Sequence, residues 1–65
     1  MKHLSLTPTE IKIVNLIKHG TTTKKIAEIM KISPRTVDTH RKNIRRKVGL
    51  DKKRANLRSF LLSLH

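Results

Sequence analysis

Cysteine, tryptophan and tyrosine are all absent from this 65-residue chain. Without thiols the chain cannot form disulfides or thiolate metal sites, so its stability must come from packing. Its one aromatic residue, Phe60, cannot supply the stacking platforms with which most single-strand binders hold nucleic-acid bases. A nucleic-acid partner of this chain is therefore expected to be a duplex.

The sequence also lacks long apolar runs and the usual arrangements of catalytic residues. No stretch approaches the roughly 18 apolar residues that span a bilayer, and the start Met1-Lys2-His3 lacks the apolar run of a signal peptide. We expect a cytoplasmic protein with no membrane partner. There is no carboxylate pair, nucleophile–base arrangement or glycine-rich phosphate loop, so we expect no enzyme activity and no cofactor. We also expect no metal site, because the histidines lie far apart on different elements: His3, His19, His40 and His65.

Acidic residues are few, and this imbalance is the strongest compositional signal. The chain has 16 Lys and Arg against 4 Asp and Glu, which gives a formal net charge of +12. Nucleic acid is the first candidate partner for such a charge, because neutralising phosphates releases condensed counterions. An anionic membrane surface is the second candidate by charge, but the lack of a long apolar run disfavours it. At this length the chain can hold only one domain with a small core.

The capping signals predict an all-α domain of four helices and no strand. Thr7, Pro8 and Glu10 form a capping-box pattern that starts a first helix at 8–19, and Gly20 ends it. Ser33 followed by Pro34 starts the longest helix, at 34–48. Between these two we expect a short helix at 23–30, and after Gly49 a fourth at 52–64 with Asp51 as its cap.

Two short helices joined by about three residues, the second one basic on its outer face, predict a helix-turn-helix. The small Ala27 permits close approach of the two helices. Lys31 occupies the turn position where many such motifs place glycine, so the turn need not have the most familiar geometry. The predicted domain therefore covers 1–65 as one DNA-binding unit, and we expect it to be an output domain separated from a regulatory domain.

Particular polar residues strengthen this interpretation. The most specific run is Thr36-Val37-x-x-His40-x-x-Asn43-Ile44-x-x-Lys47-Val48-Gly49-Leu50. It resembles the LuxR-type (GerE/FixJ-like) DNA-binding domain of bacterial transcription regulators, and the resemblance covers about residues 4–64. The resemblance implies a third helix in the major groove and a fourth helix that pairs two copies on a two-fold site. It also implies base contacts from Asp38, Thr39 and Lys42, which the outward, N-terminal half of a recognition helix would present to base edges.

The predicted backbone contacts surround these positions. Free N–H groups at the start of helix two favour a phosphate, and basic side chains on helix three add charge. The predicted set is Thr22, Thr23, Lys24, Arg35, Thr36, His40, Arg41, Arg45 and Arg46. For a weak homodimer strengthened on DNA, the predicted interface is Leu57, Leu61 and Leu64, although these leucines could also complete the core.

Sequence-specific duplex DNA binding for transcription regulation is the first hypothesis, with RNA polymerase as a further candidate partner. A promoter-reading module like that of a sigma factor shares the Leu-Thr start and the apolar spacing but lacks the His40 and Asn43 pair. A non-specific basic nucleic-acid-binding protein would use charge alone. A helical adaptor for an acidic protein is the remaining alternative.

Overall fold

A computed structural model describes residues 5–50 and 56–63 of the chain. It contains four helices: α1 (Pro8–Lys18), α2 (Thr23–Met30), α3 (Pro34–Lys47) and α4 (Leu57–Leu62). No strand occurs in the described ranges, so the predicted all-α, four-helix class is confirmed. The first three helices begin at the predicted residues. None of the described helices has the length and hydropathy needed to cross a bilayer.

The fourth helix is shorter than predicted. Asn56 has an extended backbone, with φ −71° and ψ 125°. Its side-chain Oδ1 accepts a hydrogen bond from the Ser59 backbone N–H at 3.0 Å, which makes Asn56 the N-cap. The predicted continuous helix at 52–64 with an Asp51 cap is therefore wrong, because an extended residue cannot lie inside a helix. Asp51 itself lies outside the described residues.

The other three helices start at side-chain caps. The hydroxyl oxygens of Thr7, Thr22 and Ser33 each accept a hydrogen bond from the backbone N–H three residues later, at 3.1 to 3.2 Å. At α1 the Glu10 carboxylate in turn accepts a hydrogen bond from the Thr7 N–H at 2.9 Å, so the predicted capping box is confirmed. These caps satisfy backbone donors that the first helical turn leaves without partners.

Helices α1, α2 and α3 end in one shared geometry. Gly20, Lys31 and Gly49 follow them with positive φ values of 82°, 60° and 84°. In each case the next residue donates its N–H back across the helix end, at 2.7 to 3.1 Å. This Schellman pattern satisfies helix-end carbonyls. Lys31 takes the same left-handed conformation as the two glycines, so the turn keeps the familiar geometry without a glycine.

The core forms where the helices cross. Helix α3 packs against α2, and α1 packs against both α3 and α4. Ile13, Ile26, Val37 and Ile44 are completely buried. Ala27 is also buried, as its predicted place between the helices of the motif requires. The core thus holds α3 from two sides and leaves its remaining face to solvent.

A buried ion pair ties the end of α3 to the start of α1. Glu10 is only 4% exposed, and its Oε1 accepts a hydrogen bond from Lys47 Nζ at 2.7 Å. Lys47 also donates to the backbone oxygen of Ser5 at 3.3 Å. The sequence interpretation of Glu10 as a cap is confirmed. The ion pair and the apolar core thus both fix the orientation of α3.

Candidate nucleic-acid interface

The outer face of α3 carries the three predicted base-contacting residues together. Asp38, Thr39 and Lys42 are all exposed, and their i, i+1 and i+4 spacing places them on one side of the helix. The side chains of Asp38 and Lys42 have no hydrogen bond or ion pair within the described part of the chain. Their polar ends are therefore available to an incoming ligand.

Basic side chains surround this face. Two shallow concavities lie on it, and both include Thr39, Lys42 and Arg45. The first also has Arg35, Asp38 and Arg41 in its lining, and the second has Asn43 and Arg46. The structure thus brings four of the predicted backbone-contacting arginines beside the three predicted base-contacting residues.

Hydrogen bonds orient several of these side chains. Thr39 Oγ1 donates to the backbone oxygen of Arg35 at 3.2 Å, which leaves its methyl group for apolar contact. Arg46 Nη2 donates to Asn43 Oδ1 at 3.2 Å, as expected for a locally bonded asparagine. Arg45 Nη2 donates to the backbone oxygen of Leu50 at 3.2 Å. The last two bonds hold the guanidinium groups of Arg45 and Arg46 against the surface of α3 and the residues that follow it.

The remaining predicted backbone contacts occupy two helix starts and one half-buried position. Thr22 is the N-cap of α2, followed by half-buried Thr23 and exposed Lys24. Thr36 lies in the first turn of α3, where its hydroxyl is 2.9 Å from the hydroxyl of Ser33. His40 is half-buried on α3. The α2 start presents free N–H groups of the kind that favour phosphate oxygens.

The predicted dimer leucines need correction. Leu57 and Leu61 are 3% and 2% exposed, because α4 packs on α1 and uses both side chains in the core. They offer almost no area to a second copy. Leu64 lies outside the described residues. The exposed apolar side chain of α4 is instead Leu62, at 49%.

Arg58 is a basic residue near the interface that sequence reasoning missed. It lies on α4, and it lines a third concavity together with Arg41 of α3. No spacing rule connects residues 17 positions apart on different helices, so only the packing of α1, α3 and α4 reveals their proximity.

Comparison with known proteins identifies the family of the chain. Residues 4–59 match the bacterial regulatory proteins of the luxR family, which is most of the chain. The chain belongs to the luxR family of bacterial regulatory proteins. The matched segment of this luxR-family domain includes all of α1, α2 and α3 and the start of α4. The resemblance noted from the Thr36–Leu50 run is confirmed. No solved structure matches the chain.

Three relatives share nearly half of their aligned residues with the domain. It is 48% identical over 46 residues to the HTH-type transcriptional regulator Rv0890c of Mycobacterium tuberculosis, covering 71% of this chain and 5% of that protein. It is 47% identical over 45 residues to the transcriptional regulatory protein MctR of Rhizobium johnstonii, covering 69% and 21%. It is 46% identical over 45 residues to the uncharacterized response regulatory protein YgeK of Escherichia coli, covering 69% and 31%. The luxR-family domain therefore spans a minor part of each of these regulators.

Proposed function

We propose that this luxR-family domain binds double-stranded DNA sequence-specifically, with α3 in the major groove, to regulate transcription. One observation carries the proposal: α3 presents Asp38, Thr39 and Lys42 exposed on the face that the core leaves open, with arginines around them. The net charge of +12 supplies the attraction to phosphates. The three relatives are named as regulators, and two of them as transcriptional regulators, which supports the same conclusion.

Each proposed base contact follows from side-chain chemistry. Lys42 is a free donor for guanine O6 and N7. The Thr39 methyl is available for a thymine methyl, since its hydroxyl bonds to the helix backbone. Asp38 is an acceptor for the amino group of cytosine. Together the three side chains read a short run of base pairs along one helix face.

The proposed phosphate contacts position the domain without reading sequence. They are Thr22, Thr23 and Lys24 at the start of α2, and Arg35, Thr36, His40, Arg41, Arg45 and Arg46 on α3. With about six phosphates neutralised, the logarithm of the association constant falls with the logarithm of salt concentration at a slope near −5. The slope reports the number of phosphates contacted, and base contacts do not contribute to it.

We also propose a two-fold arrangement on DNA, in which two copies meet through α4. With Leu57 and Leu61 buried, exposed Leu62 is the apolar side chain available to that contact. The output-domain role, the cytoplasmic location and contact with RNA polymerase belong to the same proposal. The output-domain role is supported by the relatives, because the domain covers only a minor share of each of them.

Selection from random duplexes tests the proposal. At about 150 mM salt, where pure phosphate attraction is already weak, the bound fraction is sequenced. We expect a two-fold site with half-sites about one helical turn apart. Enrichment of no sequence at all would make the domain a charge-driven nucleic-acid binder, and enrichment only of promoter-like elements would favour the sigma-factor-like alternative.

Lys42→Ala tests the proposed orientation of α3 on the selected site. We expect a loss of about 1–3 kcal/mol in binding and relaxed preference at one base pair. Lys12→Ala is the matched control. It removes the same charge from an exposed position on α1, and Lys12 lines neither concavity of α3. An equal effect of both substitutions, with no base preference changed, would contradict the assignment of Lys42.

A further inference from the structure

A third concavity lies where α1, α3 and α4 meet. Its volume is about 300 Å³, and its polar lining includes Arg41 from α3 and Arg58 from α4. Among the described residues, the other polar side chains in it are Thr21, Asn56 and Ser59. Two guanidinium groups, two hydroxyls and an amide thus line one cavity.

The two arginines line the same concavity, and no carboxylate is among its described lining residues. The ion pairs among the described residues are Lys25 with Glu28 and Lys47 with Glu10, so neither includes Arg41 or Arg58. Arg58 donates its Nε–H to the backbone oxygen of Lys18, at 3.2 Å. Its terminal Nη2 lies over Gly20, 3.4 Å from the point that a Cβ atom of that residue would occupy. The backbone of the α1 end thus helps to hold the Arg58 guanidinium in place.

Side chains, rather than helix ends, supply the donors of this concavity. The Asn56 Oδ1 already accepts the Ser59 N–H that the start of α4 would otherwise offer. The remaining donors are the guanidinium N–H groups, the Thr21 and Ser59 hydroxyls and the Asn56 amide. Guanidinium groups match the geometry of phosphate oxygens, and their charge-assisted bonds are the strong ones.

We propose that this concavity binds one phosphate of the DNA backbone, with Arg58 and Arg41 as its cationic donors. Arg41 supports this assignment, because it also lines a concavity of the α3 face that carries Asp38 and Lys42. The concavity therefore continues the interface of the proposed function, on which this inference rests. A phosphate held there extends the footprint of the domain from α3 onto α4.

Binding by Arg58→Gln, measured across salt concentrations on the selected duplex, is the first test. Glutamine keeps hydrogen-bond donors but removes the charge, so the salt slope is expected to shrink by about one and affinity to fall about tenfold. Arg58→Lys, which keeps the charge, is expected to restore the slope. Lys12→Gln is the matched control for loss of a charge outside the concavity. Ser59→Ala is a milder variant with a smaller expected loss, and thermal melts of all variants report their folding.

A neutral methylphosphonate, placed at one backbone position at a time, locates the phosphate. Native protein is expected to lose about tenfold in affinity at each contacted phosphate, including one that flanks the recognised bases, as loss of a charge-assisted contact implies. Arg58→Gln is expected to be insensitive at that same position and to keep the native base preference. A titration of the free protein with inorganic phosphate separates a backbone phosphate from a free anion.

The outcomes distinguish the two proposals. Native protein that binds no duplex contradicts the proposed function itself. Native binding with equal slopes for Arg58→Gln and Lys12→Gln overturns only the phosphate site. So does binding of inorganic phosphate at the concavity when Arg58→Gln leaves duplex binding unchanged. Should Arg58→Gln fail to fold, Arg58→Met takes its place, and salt slopes equal for Arg58→Met and Lys12→Gln overturn the site.

Discussion

Glu10 is the residue in which local and tertiary roles coincide. It caps α1 through Thr7 and pairs with Lys47 at 2.7 Å. The hydrogen bond from Lys47 lowers the pKa of Glu10 below its usual value of 4.5, and the Thr7 N–H acts in the same direction. Burial acts against them by raising the pKa, but the net shift is downward. The charged carboxylate is therefore the form that the folded state favours.

This lowered pKa predicts an acid-dependent loss of stability. Because the folded pKa lies below the unfolded one, the pair stabilises the domain above about pH 4.5, and this contribution is lost as pH falls through the folded pKa. We expect Glu10→Gln to cost about 2 kcal/mol at pH 7, since it leaves Lys47 without its carboxylate. We also expect it to flatten the fall in melting temperature between pH 6 and about pH 3.

Glu28→Gln is the matched control for that substitution. Glu28 is paired with Lys25 at 3.6 Å, but both side chains are more than half exposed. Solvent screening makes such a pair worth little. An equal loss from both substitutions at pH 7 would contradict the special role assigned to Glu10.

Among the elements, the end of α2 is the one whose sequence conflicts with its geometry. Lys31 holds a left-handed conformation, φ 60° and ψ 42°, that glycine occupies at the ends of α1 and α3. This conformation costs a side-chain-bearing residue about 1–2 kcal/mol. The tertiary contact of α2 with α3 imposes it, because the turn must be short.

Lys31→Gly is therefore expected to stabilise the domain by up to about 1 kcal/mol, as part of the relieved strain is offset by the greater freedom of glycine in the unfolded chain. Chemical denaturation measures the difference. Lys31→Ala is the control that removes the charge and keeps the strain. Stability of the glycine variant no higher than that of the alanine variant would contradict the strain argument.

Gly49→Ala at the end of α3 introduces the strain that Lys31→Gly removes at the end of α2, because Gly49 also has a positive φ. A Cβ atom there meets nothing within 4 Å, so steric contact with neighbours adds no cost. Its φ of 84° alone is expected to cost about 1 kcal/mol. The control is an alanine substitution at an exposed position inside a helix. If Gly49→Ala lowers the melting temperature by less than this control does, the expectation is contradicted.

The start of α4 gives a further prediction at the scale of elements. Asn56→Ala removes the cap that accepts the Ser59 N–H and is expected to cost about 1 kcal/mol, whereas Asn56→Ser keeps an oxygen acceptor and most of the stability. Equilibrium unfolding of both variants checks the expectation. Equal stability of the two would show that the Asn56 cap adds nothing.

For the whole molecule, the excess of positive charge is the property with the widest effect on stability. A net charge of +12 on 65 residues repels itself in the compact state. At physiological ionic strength, salt largely screens interactions between exposed charges that are more than about 8 Å apart. We expect the melting temperature to rise by several degrees from low salt to about 0.5 M salt, and to rise at low salt when a duplex is added. A melting temperature that falls with salt would show that attractive surface pairs outweigh the repulsion.

Much of the fold and part of the site could be predicted from local patterns. Caps such as Thr7 and Ser33, and stops such as Gly20, act within a few residues, so they placed three helix starts correctly. The i, i+1, i+4 spacing of Asp38, Thr39 and Lys42 brought those side chains to one face for the same reason. The predicted start of α4 was wrong because Asn56 caps the helix, and the contact of α4 with α1 is not visible in the local sequence pattern.

The sequence by itself determined the helical class, the family and the strong positive charge, because caps, periodicity and composition act at short range or by simple summation. Only the tertiary structure decided which groups far apart in the chain meet. It buried Glu10 against Lys47, used Leu57 and Leu61 in the core, and brought Arg58 beside Arg41. These outcomes depend on how the helices cross, and no local rule specifies the crossing of elements separated by a turn.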